Sequence, residues 1–180
     1  MDSLEQVKTS LNSNTNLPND IKEKFISLAE IFIRKMPSIN LTRLCKNLQT
    51  VKVGKLSKFD KKGTYYYDVM ENKIQFSDSL EGNYDIDHLF MKAILEMTTS
   101  NGSFTGFNSD ERLRALNVAY TEILANYIVG NEGDTDFEEE VLITNLISLI
   151  VGKDTMYESY FTNNGEPIIK AMQEAEVGLR

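Results

Sequence analysis

Residues 113–129 are apolar around nearly the whole circumference of a helix, with one carboxylate in the middle. Leu113, Leu116, Tyr120, Ile123, Leu124, Tyr127 and Ile128 recur at helical spacing and make one broad apolar face. The other side carries Ala115, Val118, Ala119, Ala125 and Val129 around Glu122. A helix with no polar side has nothing to offer water and belongs in an interior. A charge placed there is costly unless it has a partner. Glu122 must therefore be protonated, solvated in a cleft, or paired, and the last two states imply a cavity.

The preceding helix, expected over 85–98, is more conventional. Ile86, Leu89, Phe90, Ala93, Ile94 and Met97 form a core-facing stripe. His88, Lys92 and Glu96 form a polar line on the other side, with His88 farthest from the stripe. His88 and Glu96 are two turns, about 12 Å, apart and cannot share one ion. Asp85 and His88 could, but two ligands at a helix start make a poor site. His88 thus reads as a solvated surface imidazole. Lys92 and Glu96 are an i,i+4 pair, which in isolation contributes only about 0.2–0.5 kcal/mol.

The rest of the chain divides by texture. A short N-terminal helical segment is followed by a turn-rich break at 12–19. A helix carrying Ile21, Phe25, Leu28 and Phe32 then runs until Met36-Pro37 stops it, and a second spans 41–48 with Cys45 among its apolar residues. Val51 to Val53, Thr64 to Val69 and Lys73 to Phe76 read as strands, with Gly54 to Lys62 a basic loop and Glu71-Asn72 a turn. Further helices are expected over 110–130, 138–151, 153–161 and 165–176. The class is α+β: a single domain over 1–180, with helices in 1–49, a small antiparallel sheet in 50–80 and a helical part over 85–180.

Composition narrows the function. Nineteen basic residues against 27 acidic ones leave a net charge of −8, which argues against nucleic acid and anionic lipid as partners. The single cysteine allows no internal disulfide, which suits a reducing, cytoplasmic setting. Met1 to Ser10 lacks the basic and apolar regions of a signal peptide. One histidine is a poor endowment for an ordinary zinc enzyme, and nucleophilic catalysis would have only His88 as a base. The acids Asp134, Asp136, Glu138, Glu139 and Glu140 suggest calcium, but the sixth and twelfth positions of such a loop hold Glu139 and Asn145 rather than glycine and glutamate. They read better as acids at a helix N-terminus.

The stretch Phe90-Met91-Lys92-Ala93-Ile94-Leu95-Glu96-Met97-Thr98-Thr99 resembles the catalytic helix of zincin metallopeptidases, where H-E-x-x-H sits in an apolar frame. Ala115-Leu116-Asn117-Val118-Ala119-Tyr120-Thr121-Glu122 looks like the gluzincin segment N-E-G-x-T-E, and Gly102 to Phe107 resembles the connecting loop. In that register Lys92 takes the place of the first histidine, Ala93 of the catalytic glutamate, Glu96 of the second histidine and Val118 of the third ligand. Glu122 takes that of an acidic residue that orients a ligand. Zinc catalysis needs three protein ligands, an open water position and a base. Only Glu96 among the ligand positions keeps a metal-binding side chain, and the base is a methyl group.

The resemblance therefore implies a mostly helical, zincin-like domain without metal or cofactor, with Lys92 held between Glu96 and Glu122. It also makes Lys73, Ile74, Gln75 and Phe76 the edge strand of a cleft, where a peptide or protein segment could add by backbone pairing. Two alternatives stand beside this pseudopeptidase. One is an active metallohydrolase using Glu96, Glu122 and Asp85 or His88. The other is an interaction protein whose cleft is filled by its own side chains.

Overall fold

The computed structural model describes residues 2–55, 65–77, 86–107, 111–130 and 137–178. Asp85, Asp134, Asp136 and most of the expected basic loop lie outside them. The described elements run α1 (Ser3–Ser13), α2 (Asn19–Lys35), α3 (Thr42–Leu48), β1 (Lys52–Lys55), β2 (Tyr65–Asp68), β3 (Lys73–Phe76) and α4 (Ile86–Thr99), followed by α5 (Arg114–Val129), α6 (Glu138–Val151), α7 (Lys153–Thr162) and α8 (Glu166–Gly178). A single 3₁₀ turn, Glu111–Leu113, leads into α5. The architecture is α+β and mostly helical. No described helix is long and apolar enough to cross a membrane.

α4 is the hub. It packs against α2, α3, α5, α7 and β2, and 11 of its 14 residues are buried. Its apolar stripe meets Phe25 of α2, whose ring lies edge-on to Phe90 at 5.0 Å. Lys92 and His88 on the opposite side are buried too. The expected solvated face of this helix is in fact turned inward, towards α5 and β2. Cys45 is half-buried, and burial pushes its thiol up from its ordinary value.

Among the described residues the sheet has three strands in the order β1-β3-β2. β2 and β3 form the expected antiparallel hairpin, with Tyr67 opposite Ile74. Asp68 caps the turn by accepting from the backbone of Met70 and Glu71, both at 3.0 Å. β1, however, pairs parallel to β3, with Val53 opposite Ile74, so the sheet is mixed rather than antiparallel. Nine residues separate β1 from β2, too many for a tight hairpin. The local hairpin occupies one side of β3 and leaves β1 the other. Asn72 anchors this side by donating to Asn47 O and Thr50 Oγ1 at 2.8 and 2.9 Å.

That order corrects a second expectation. Lys73, Ile74, Gln75 and Phe76 are the middle strand, hydrogen-bonded on both sides, and cannot accept an added strand. The strand that reaches the cleft is β2.

The loop joining α4 to α5 is stapled at several points. Gly106 N donates to Thr99 Oγ1 at 2.9 Å, and Phe107 N to Asn117 Oδ1 at 2.9 Å. Asn163, just past α7, donates to the carbonyls of Thr99 and Gly106 at 2.9 and 2.7 Å. Gly106 adopts φ +52, and a Cβ there would lie 2.6 Å from the Tyr160 ring and closer still to Asn117. Only glycine suits that position.

Candidate functional site

Two of the three polar residues on α4, His88 and Lys92, meet Glu122 of α5, while Glu96 turns to Tyr65 of β2. His88 Nε2 lies 2.7 Å from Glu122 Oε1, and Lys92 Nζ lies 2.7 Å from Glu122 Oε2. A carboxylate can only accept, so His88 Nε2 carries the hydrogen. The Glu122 side chain is only 4% exposed and that of Lys92 10%. Of the three states open to Glu122 in the sequence, pairing is the one adopted. The His88 imidazole is correspondingly a buried partner of Glu122 rather than a surface group. Helical periodicity places His88 away from the apolar stripe but carries no information on whether that side meets water or a buried acid.

The ammonium of Lys92 also lies over the Tyr65 ring, 5.3 Å from its centre, and the Phe137 ring, at 5.4 Å. Both are within cation–π range. Tyr65 from β2 donates its hydroxyl to Glu96 Oε2. Lys92 and Glu96 thus line the same cavity, whose volume is about 620 Å³. Tyr66 and Val69 of the hairpin, Phe104 of the connecting loop, and Arg114, Asn117 and Val118 of α5 complete much of its wall. None of the four residues of β3 lines it. Ala93 belongs to the apolar core and does not reach the cavity.

The two carboxyls are pushed in opposite directions. Burial raises Glu96 most, and the nearby Glu122 charge adds to it. The Tyr65 hydrogen bond and the Lys92 charge offset part of this, and the group settles at about 7. For Glu122, burial again disfavours the charge. The hydrogen bond from His88 and the charges of Lys92 and His88 outweigh it and hold the group down at about 2.

These shifts fix the pH dependence of stability. A carboxyl raised in the fold from an ordinary 4.5 favours folding below 4.5 and loses that contribution as pH rises to about 7. Glu122 has the reverse sign and loses its contribution as pH falls from 4.5 to about 2. Replacing Glu96 by glutamine keeps an acceptor for Tyr65 but removes the titration. Between pH 4.5 and 7 the wild type should lose about 1–3 kcal/mol relative to Glu96→Gln, somewhat below the full shift because the group borders an open cleft. Urea unfolding at pH 5 and 7.5 measures this, and parallel stability profiles for the two proteins would contradict it.

Zinc at this place would require three donor side chains. Of the positions that the zincin resemblance assigns to ligands, Lys92 supplies a cation, Val118 an aliphatic chain, and Glu96 a carboxyl already bonded to Tyr65. His88 and Glu122, candidates for an unusual ligand set, are bonded to one another. Among the described residues no three His, Cys, Asp or Glu side chains are grouped to hold a metal ion. The donor set does not fit zinc.

The acid within α5 and the polar line on α4 were legible in the sequence. The roles of Tyr65, Phe104, Arg114 and Phe137 were not, because no spacing rule links a strand or loop to a distant helix. The one signal for Tyr65 was the aromatic run at 65–67, more apolar surface than a small sheet needs. No family model matches the chain, and neither does any curated protein or solved structure.

Proposed function

We propose that this chain is a zincin-like, gluzincin-type domain in which a lysine ammonium takes the place of the metal, and that it acts as a non-catalytic binding module for a peptide segment. The observation that carries the reading is Lys92 Nζ at 2.7 Å from a buried Glu122 beside an open cavity. A cation in that position balances the acid of α5 as a metal ion's charge would, so the pocket persists without metal. Catalysis does not survive with it. The position of the general base holds the Ala93 methyl group, and Lys92 has no lone pair for a metal while it is charged.

The cavity wall favours an extended chain. Tyr66, Phe104, Phe137, Val69 and Val118 offer apolar contacts, while Asn117, Thr121, Glu111 and Arg114 offer hydrogen bonds. The net charge of −8 favours a neutral or basic segment over an acidic one.

Selection from a library of random unstructured peptides tests the reading. Peptides should be recovered that bind the wild type and lose at least tenfold in affinity to Val118→Arg, which fills the cavity. Zinc titrated into the same untagged protein should produce no stoichiometric uptake. One equivalent of tightly bound zinc, or peptides indifferent to Val118→Arg, would overturn it.

A further inference from the structure

α6 is apolar on both its core-facing and its solvent-facing sides. Its outward residues include Leu142, Ile143, Leu146, Leu149 and Ile150, which are 54–77% exposed. Its inward side, against α5 and α8, holds Ile147 and Val151 together with the buried Thr144 and the half-buried Ser148. The solvent-facing side is thus at least as apolar as an ordinary core-facing side. No charged residue occurs from Val141 to Gly152. Isolated exposed leucines need no explanation, but a contiguous stripe does. Five such side chains amount to on the order of 500 Å² of apolar surface, in the upper range of what monomers leave open. That is more than half of the roughly 800 Å² per partner of a standard interface.

We propose that this face is the interface of a homodimer in which α6 pairs with α6 of a second copy in antiparallel fashion. A two-fold axis at Leu146 sets Leu142 against Ile150 and Ile143 against Leu149 of the partner, so that one apolar surface meets its own equivalent, as an isologous interface requires. The charges at the two ends favour this direction. Exposed Glu138 and Glu139 stand at the start of α6, and exposed Lys153 and Asp154, which balance one another, just beyond its end. Antiparallel pairing brings the acids of one copy to this balanced end of the other, whereas parallel pairing sets acids against acids. The helix macrodipoles oppose one another favourably in the same arrangement. The stripe itself is uncharged, so the overall acidity of both copies acts only from a distance, where salt screens it.

Sedimentation equilibrium of the full chain should give a dimer at micromolar concentration. Leu146→Glu should weaken association at least a hundredfold while leaving the far-ultraviolet circular dichroism unchanged. In a Cys45→Ser background, Leu146→Cys should form an intermolecular disulfide readily. Leu142→Cys should do so only when mixed with Ile150→Cys protein. A chain that stays monomeric, a dimer untouched by Leu146→Glu, or preferential self-crosslinking at Leu142→Cys would each overturn the proposal. Because Leu146 is exposed, its replacement does not depend on repacking the interior, and Asn145→Glu on the same face provides a second variant should Leu146→Glu fail to fold.

Discussion

Replacing Glu122 by alanine should lower the stability of the fold by about 3–5 kcal/mol, the cost of leaving a buried charge without its counter-charge. Lys92 and His88 would both lose the carboxylate at once, in a place with little access to water. Lys92→Met should cost less, since Glu122 would keep the hydrogen bond from His88. Lys92→Met combined with Glu122→Gln should recover most of the loss. The methionine fills the lysine's volume, and the glutamine can still accept from His88 Nε2. The cycle formed by the wild type, Lys92→Met, Glu122→Gln and the double variant should therefore show a coupling of about 2 kcal/mol between positions 92 and 122. Urea unfolding at pH 7 with an unchanged m-value is the measurement. A loss below 1 kcal/mol for Glu122→Ala would mean that the ammonium and carboxylate are effectively solvated.

The second large effect is a gain. If the zincin-like reading holds, Lys92→His, Glu96→His and Val118→Glu together should create a site for one zinc ion per chain. The two imidazoles would sit at i and i+4 on α4, with the carboxylate one turn before Glu122 on α5. Three ligands with an open fourth position are what catalytic zinc uses. A dissociation constant below about 1 µM corresponds to about 8 kcal/mol of binding, and a thousandfold excess of free zinc over it should stabilise the fold by about 4 kcal/mol. Ala93 is left unchanged in this variant because it is fully buried in the apolar core, where a carboxylate would be costly. Calorimetric titration and thermal unfolding with and without zinc report the outcome. A folded triple variant with no more affinity for zinc than the wild type would remove the zincin-like proposal while leaving the cavity as described.

Much of the fold was legible because helices declare themselves by period. The ends of α4, α6, α7 and α8 fall within two residues of those expected from the apolar spacing and the glycines between them. Only α5 starts late, its first turn being wound as 3₁₀. β2 and β3 also lie where they were expected, whereas β1 runs on through Gly54 and Lys55, which were expected in the basic loop. What period cannot carry is pairing. Nothing in Lys52 to Lys55 or Lys73 to Phe76 says that the two run parallel, since the decision rests on the long connection to β2. The zincin resemblance put Lys73 to Phe76 at an edge, and the sheet order puts them in the middle. The site divides along the same line. Glu122 stood out because its neighbours on α5 are apolar, and its partnership with Lys92 follows from α4 and α5 packing side by side. His88 was misplaced because a buried acid on another helix can satisfy a polar face as well as water can.

The Glu122 carboxylate grips α4 at two points one helical turn apart, His88 with one oxygen and Lys92 with the other. This double grip acts as a mechanical key. Sliding α5 along α4 by a single residue, about 1.5 Å, cannot keep both contacts, and a whole turn would be needed before a comparable pair of positions came round again. The two helices forming one side of the cleft are thereby locked in register. Any widening that admits a ligand must come from the wall carrying Tyr65 and Tyr66 or from the loop at Phe104, with α4 and α5 serving as the fixed jaw.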